Sequence, residues 1–211
     1  MSQIDGDLLA AVIRSLSGSG EPIATAITSI PNKPGLYAVH AAAEGWAMLG
    51  LARRPPDVPL YVGKAEDSLI ARDLKTHFAV DPERAPRTGS STLRRSFAAL
   101  LHEQLNLRGV PRNREKPGYF SNFGLEEEGD RRLTAWMQSN LTLAIWPKPP
   151  DLQRSLGDIE KAVLNHWDPP INLQNSPTKL PRLVAARALM ADQARSWRLP
   201  GGLSSAGATW P

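Results

Sequence analysis

The sequence predicts a small mixed α/β or α+β layer structure, and three observations carry that prediction. Two runs of strand-forming residues place a tyrosine beside a glycine, at Gly35-Leu36-Tyr37 and Tyr61-Val62-Gly63. Segments with apolar residues at helical spacing surround them, most clearly at 151–167. A further apolar run, 141–146, falls between two helical segments. Strands interleaved with helices in this way call for a sheet with helices packed on it.

Taken in order, Leu8, Leu9, Val12, Ile13 and Leu16 follow helical spacing over 7–16, and Ser17-Gly18-Ser19-Gly20 ends that helix. A proline-punctuated stretch reaches Pro34, and 36–39 reads as a strand. A second strand is expected at 46–51, then a loop at Arg53-Arg54-Pro55-Pro56, then a strand at 60–62. Asp67 or Ser68 caps a helix running to about Phe78, and Ser90 or Ser91 caps another through Leu107. Residues 109–132, rich in glycine, proline and charge, read as a long loop that includes Glu126, Glu127 and Glu128. A short helix at 133–138 leads to the strand at 141–146. The helix at 151–167 is stopped by Pro169-Pro170, an amphipathic segment spans 182–197, and the last dozen residues read as a frayed tail.

The chain of 211 residues suffices for one domain with a proper core and a small appendage. Its composition, 41% hydrophobic and 22% charged, is that of an ordinary globular protein. No apolar run approaches the roughly 20 residues of a membrane span, and the N-terminus lacks a basic segment followed by a cleavable apolar stretch. A cytoplasmic location without membrane association is therefore expected. The absence of cysteine excludes disulfides and thiolate zinc, so metal chemistry must rest on oxygen or imidazole ligands.

The net charge of +4 is small, but its distribution is uneven. Arg84, Arg87, Arg94, Arg95, Arg108, Arg112, Arg114 and Lys116 face only Glu103 and Glu115 within 84–116. Such a segment is either a phosphate-facing surface or a solvated helix and loop.

Glu160 is the position where periodicity is most informative. Leu152, Leu156, Ile159, Val163 and Trp167 form one apolar stripe on the 151–167 helix. At about 100° per residue, Glu160 falls inside the apolar arc, between Trp167 and Leu164, whereas Asp158, Lys161 and Asn165 occupy the polar face. A half-buried carboxylate requires an arginine or a cation, unless it reaches water at the stripe's edge. Tyr37 and Tyr61 are either packed strand tyrosines or a pair of phenols beside Lys64 and Arg72, and a phenol with a pKa near 10 needs help to act as a base. Arg72 projects away from the Ile70, Leu74 and Phe78 stripe, so its planar fork is available to a phosphate or to solvent. His77 falls near that stripe, with Asp73 one turn earlier; a satisfied core histidine and a catalytic one fit equally.

Gly35-Leu36-Tyr37, Tyr61-Val62-Gly63-Lys64, Arg72, Glu160 and Pro169-Pro170-Ile171-Asn172 resemble, in order and context, the GIY-YIG nuclease domain over about 34–175. Ser91-Thr92-Leu93-Arg94-Arg95 and Leu133-Thr134-Ala135-Trp136-Met137 are similar to segments of bacterial stand-alone members related to restriction endonucleases. The resemblance implies a small antiparallel sheet of three strands, or slightly more, flanked by helices. It implies metal-dependent cleavage of nucleic acid, usually duplex DNA, with a restriction or phage-defence role ahead of repair. Tyr37 would deprotonate the attacking water, helped by Tyr61. Arg72 would hold the scissile phosphate. Glu160 would bind one Mg²⁺ (or Mn²⁺), and Asn172 would brace the site. Lys64, Arg94 and Arg95 would contact the DNA backbone. A homodimer and a partner methyltransferase stay open. On this reading 1–30 is a helical extension, 31–176 the nuclease domain with an insertion at about 84–132, and 177–211 a helix and tail.

Three features depart from the family pattern. The triplets carry Leu36 and Val62 where the family has isoleucine, a conservative change. The interval between Tyr37 and Tyr61 exceeds that of compact members, implying an extra strand or loop built on Trp46. The family histidine often sits one helical turn after the arginine, where this chain has Thr76; His77 follows it, and a local helix irregularity would reconcile the two.

Overall fold

The computed structural model describes residues 4–18, 20–26, 29–72, 77–78, 88–115 and 118–198. Its elements run α1 (Gly6–Leu16), β1 (Glu21–Pro22), α2 (Ile23–Ala26), β2 (Gly35–Ala41), α3 (Ala43–Met48), β3 (Tyr61–Ala65) and α4 (Leu69–Arg72). They continue with α5 (Thr92–Leu100), β4 (Gly109–Val110), β5 (Gly124–Leu125), α6 (Glu127–Asn140), β6 (Leu141–Pro147), α7 (Leu156–Trp167) and α8 (Pro181–Ser196). Among the described residues no helix is long and apolar enough to cross a membrane.

The main sheet has four strands in the order β1-β6-β2-β3, and every neighbouring pair is antiparallel. This is the α+β architecture expected, with the sheet one strand larger than the compact arrangement. β2 lies inside it, and Leu36, Tyr37, Ala38 and Val39 are all fully buried. That continuous apolar run reflects cover on both faces. Because side chains alternate along a strand, Leu36 and Ala38 meet Val12 and Leu16 of α1 and Ile159 and Val163 of α7. Tyr37 and Val39 face the other core, to which α5, α6 and α8 contribute Phe97, Leu133, Leu183 and Met190. Leu183 and Met190 therefore pack within the chain's own core.

Four local expectations are corrected. The strand expected at 46–51 is helix α3; Trp46 and Leu49, three residues apart, share its buried side. Gly50 follows at φ +62°, and the Arg182 guanidinium donates to Gly50 O at 2.6 Å and Leu49 O at 3.2 Å, satisfying carbonyls at the helix end. The loop at 109–132 holds the β4–β5 pair and the start of α6, which begins six residues before the predicted helix. Glu127 and Glu128 sit in the first turn, where the helix dipole favours anions, and pair with Arg131 and Arg132. α5 ends at Leu100, before Leu107, and the turns after it close at Asn106 with φ 48°. α7 starts at Leu156, where the Ser155 hydroxyl accepts from Asp158 N at 3.1 Å. The middle of the helix expected to reach Phe78, including Asp73 and Thr76, lies outside the described residues, as do Arg84, Arg87, Lys116 and the tail.

Candidate active site

β3 is an edge strand, and its outer side is closed by the segment after α7. The Asn172 side-chain amide accepts from Val62 N at 2.9 Å and donates to Val62 O at 2.7 Å. Ile171 N donates to Leu60 O at 3.0 Å. Asn172 thus replaces a missing strand at one residue and ties α7's exit to the second tyrosine-glycine triplet.

A pocket of about 530 Å³ opens at this edge, lined by Tyr37, Tyr61, Lys64, Glu66, Thr92, Glu160 and Asn172 among others. It straddles β3. Tyr61 and Gly63 share the face of Tyr37, whereas Lys64, one residue on, reaches toward α7. A Cβ placed on Gly157, one turn before Glu160, would lie 3.2 Å from Lys64 Nζ. Lys64 pairs with Glu66 at 2.7 Å. That hydrogen bond, more than the nearby Glu160 charge, holds its ammonium above the ordinary lysine value against partial burial.

The two glycines explain how the phenols fit. Tyr37 stands opposite Gly63, and the tyrosine rings lie 6.0 Å apart between centroids. A Cβ at Gly63 would come within 2.4 Å of Tyr37 Cζ and Oη and 2.8 Å of Tyr61 Cε1. A Cβ at Gly35 would come within 2.4 Å of Trp146 O on β6. Close approach, without unusual backbone angles, requires both glycines.

His77 is buried and stands behind Tyr37. Its Nε2 lies 2.9 Å from Tyr37 Oη, and its Nδ1 lies 2.7 Å from Ser91 Oγ. Ser91 Oγ also accepts from Arg94 N at 3.0 Å as the N-cap of α5. With the Ser91 proton given to His77 Nδ1, the ring proton sits on Nε2 and is donated to Tyr37 Oη; in the other tautomer Nδ1–H donates to Ser91 Oγ and Nε2 accepts the phenol proton. His77 and Phe78 lie in π-helical backbone, the kind of irregularity that moves a side chain around a helix.

Arg94 does not face phosphate. It is fully buried, and its guanidinium donates to Thr88 Oγ1, His77 O, Thr134 Oγ1, Asp130 O and Asp130 Oδ1. Its donors are committed to the protein, and they join the His77 backbone to α6. Burial pushes Arg94 down and Asp130 up, while their attraction and the Thr88 hydrogen bonds offset it. Arg95 is only 7% exposed and donates to Gly89 O at 2.7 Å and Thr92 Oγ1 at 3.1 Å. It reaches the pocket only through Thr92. Arg72 is the last described residue of α4, and its side chain lies outside the described part of the molecule.

The sequence reading took Ser91 only as a helix cap and did not single out Arg187 of α8. Ser91's second role needs the contact with His77 fourteen residues away. Arg187, half-buried on a helix read only for its apolar stripe, comes within electrostatic reach of Tyr61. Among the described residues no group of three or more His, Asp or Glu side chains forms a ready metal cage.

No curated protein and no solved structure matches the chain. The family model described as GIY-YIG catalytic domain matches residues 56–189. The match begins after Gly35-Leu36-Tyr37, yet the β2–β3 pairing sets those residues against the matched Ala65, Lys64 and Gly63, so the two triplets meet at Tyr37 and Gly63. With more than half of its length matched, the chain belongs to the GIY-YIG family of nucleases.

Proposed function

We propose that this chain is a divalent-metal-dependent endonuclease that hydrolyses phosphodiester bonds of duplex DNA. Tyr37, Tyr61, Arg72, His77, Glu160 and Asn172 would be its working residues. The observation that carries the reading is the line from Ser91 through His77 to Tyr37, which ends at a pocket shared with Glu160.

A buried phenol is a poor base until its ionised oxygen is stabilised. In the tautomer with its proton on Nε2, His77 would donate to that oxygen while the Ser91 hydroxyl donates to Nδ1. Tyr37 Oη then takes a proton from water as the water oxygen bonds to phosphorus. The bond from phosphorus to the 3′ oxygen breaks, the 3′ oxygen gains a proton, and a 5′ phosphate remains on the other fragment. Tyr61 would hydrogen-bond within the pocket, and Arg72 would clamp the phosphate oxygens on which charge accumulates. Lys64 adds positive charge at the same mouth. Asn172 keeps β3 and α7 in register so that the phenols and Glu160 face one space.

A hard cation fits the residues present. The pocket offers the Glu160 carboxylate, with Glu66 and Asp67 also on its wall and room for water, and Mg²⁺ or Mn²⁺ binds through one or two carboxylates with waters completing the shell. One ion held by Glu160 would supply Lewis-acid stabilisation of the leaving oxygen. In this reading 31–176 is the catalytic unit, and a restriction or phage-defence role is the leading biological context. The test is loss of plasmid supercoiling with Mg²⁺ and its absence with chelator. Retention of DNA with no cutting under any metal would leave only a binding module.

A further inference from the structure

Three arginines gather around the start of α5, and the chemistry above assigns none of them a role. Arg95 is nearly buried, its two terminal nitrogens donate to neutral oxygens, and its Nε has no partner among the described residues. Arg187 of α8 is half-buried and sets Nη1 3.4 Å from the hydroxyl of Ser96, the residue after Arg95. The stem of exposed Arg112 lies against Gly89; a Cβ there would come within 2.7 Å of Arg112 Cγ. None of the three forms an ion pair among the described residues.

Like charges gathered at a half-buried place with no ion pair of their own repel one another, and desolvation adds to the cost. The cavity beside Arg112 also carries Glu115 and Asp130, and Asp130 is already paired with Arg94. Burial first, then the charges of Arg187 and Arg112, bring Arg95 down to about 10, so it stays charged at neutral pH. An external anion would relieve both costs, and paired phosphate oxygens match the guanidinium fork. The place adjoins the candidate active site, because Thr92 lines the tyrosine pocket and Gly89 and Arg112 line a neighbouring cavity of about 630 Å³.

We propose that Arg95, Arg187 and Arg112 form a second phosphate subsite, which takes a backbone phosphate of the nucleic acid whose scissile phosphate enters the tyrosine pocket. Arg95 forms its positive floor, and Arg187 and Arg112 supply the reaching donors. The identity of the ligand rests on the nuclease reading; the subsite itself is read by binding alone.

The experiment measures affinity for a short labelled DNA duplex across a range of KCl, with folding checked by thermal unfolding. Arg187→Gln and Arg112→Gln should each weaken binding about tenfold and lower the slope of log affinity against log salt by about 1. Arg187→Lys should keep the slope. Arg131→Gln, which removes a cation already paired with Glu127 and Glu128, should leave it unchanged. Slopes equal to that of the natural protein in both glutamine variants would overturn the subsite, even if plasmid cleavage establishes the nuclease. Reduced slopes in a protein that cuts nothing would keep the subsite and remove the nuclease reading. Should Arg187→Gln fail to fold, the exposed Arg112→Gln decides the matter.

Discussion

Tyr37 on β2 stands directly across from Gly63 on β3, and its ring fills the space that a side chain at position 63 would occupy. The glycine of the second triplet is thus a requirement of the tyrosine of the first. Gly63→Ala should tip the fully buried Tyr37 ring and separate its hydroxyl from His77. Overpacking of this kind costs about 1–3 kcal/mol of stability, and a displacement of about 1 Å costs roughly a hundredfold in rate. Urea unfolding and single-turnover cleavage would measure both, with DNA affinity nearly unchanged.

The Ser91–His77–Tyr37 line makes a prediction about pH. Cleavage should rise with pH as the Tyr37 phenolate forms, and His77→Ala should move that rise to higher pH and reduce the neutral rate about a hundredfold. Ser91→Ala should act in the same direction more weakly, and cost about 1 kcal/mol through loss of the α5 cap. A rate profile shared by His77→Ala and the natural protein would assign His77 to packing.

Arg94 separates structural arginine from DNA-facing arginine. Arg94→Met should destabilise the fold by about 3–5 kcal/mol, because Asp130 is left as a buried unpaired charge. The double variant Arg94→Met with Asp130→Leu should recover much of that loss. Salt dependence of DNA binding by the folded fraction should not change. A lowered slope would restore a phosphate role to Arg94.

His40 gives a stability signature independent of catalysis. Its Nε2–H donates to Leu16 O at 2.8 Å, tying β2 to the end of α1. Burial, more than that bond or Asp57 can offset, lowers its pKa below the ordinary 6.5. The unfolded chain therefore takes up the proton first as pH falls. The stability present above about 6.5 should decline as pH drops through and below that value toward the folded pKa. Urea midpoints between neutral and mildly acidic pH should fall in the natural protein, and this component should vanish in His40→Gln.

Much of this architecture was legible because it depends on local pattern. The stripe of Ile159, Val163 and Trp167 marked α7 and set Glu160 at its half-buried edge, where the structure has it lining the pocket. Strand identity at 36–39 and 60–62 followed from composition. Trp46 was misjudged because an aromatic residue among alanines suits either element, and the Gly50 stop outweighed its strand preference. α6 was shortened because Glu126–Glu128 and Gly129 look like a loop until the i,i+4 pairs with Arg131 and Arg132 are counted. Arg94 misled for another reason. A helix arginine next to a second arginine looks solvent-exposed, and only the approach of Asp130 from another helix shows that it is internal. Ser91's contact with His77 and the convergence of Arg187 on Arg95 are tertiary and leave no mark in spacing.

The most direct measurement is cleavage of supercoiled plasmid with and without Mg²⁺ by the natural protein and by Glu160→Gln. The substitution keeps the side chain's shape and removes the charge that would hold the cation. Nicked or linear product from the natural protein alone, and only with metal, is the predicted result. Equal cutting by both proteins would contradict the account, because Glu160 would then hold no essential metal and the chemistry would lie elsewhere.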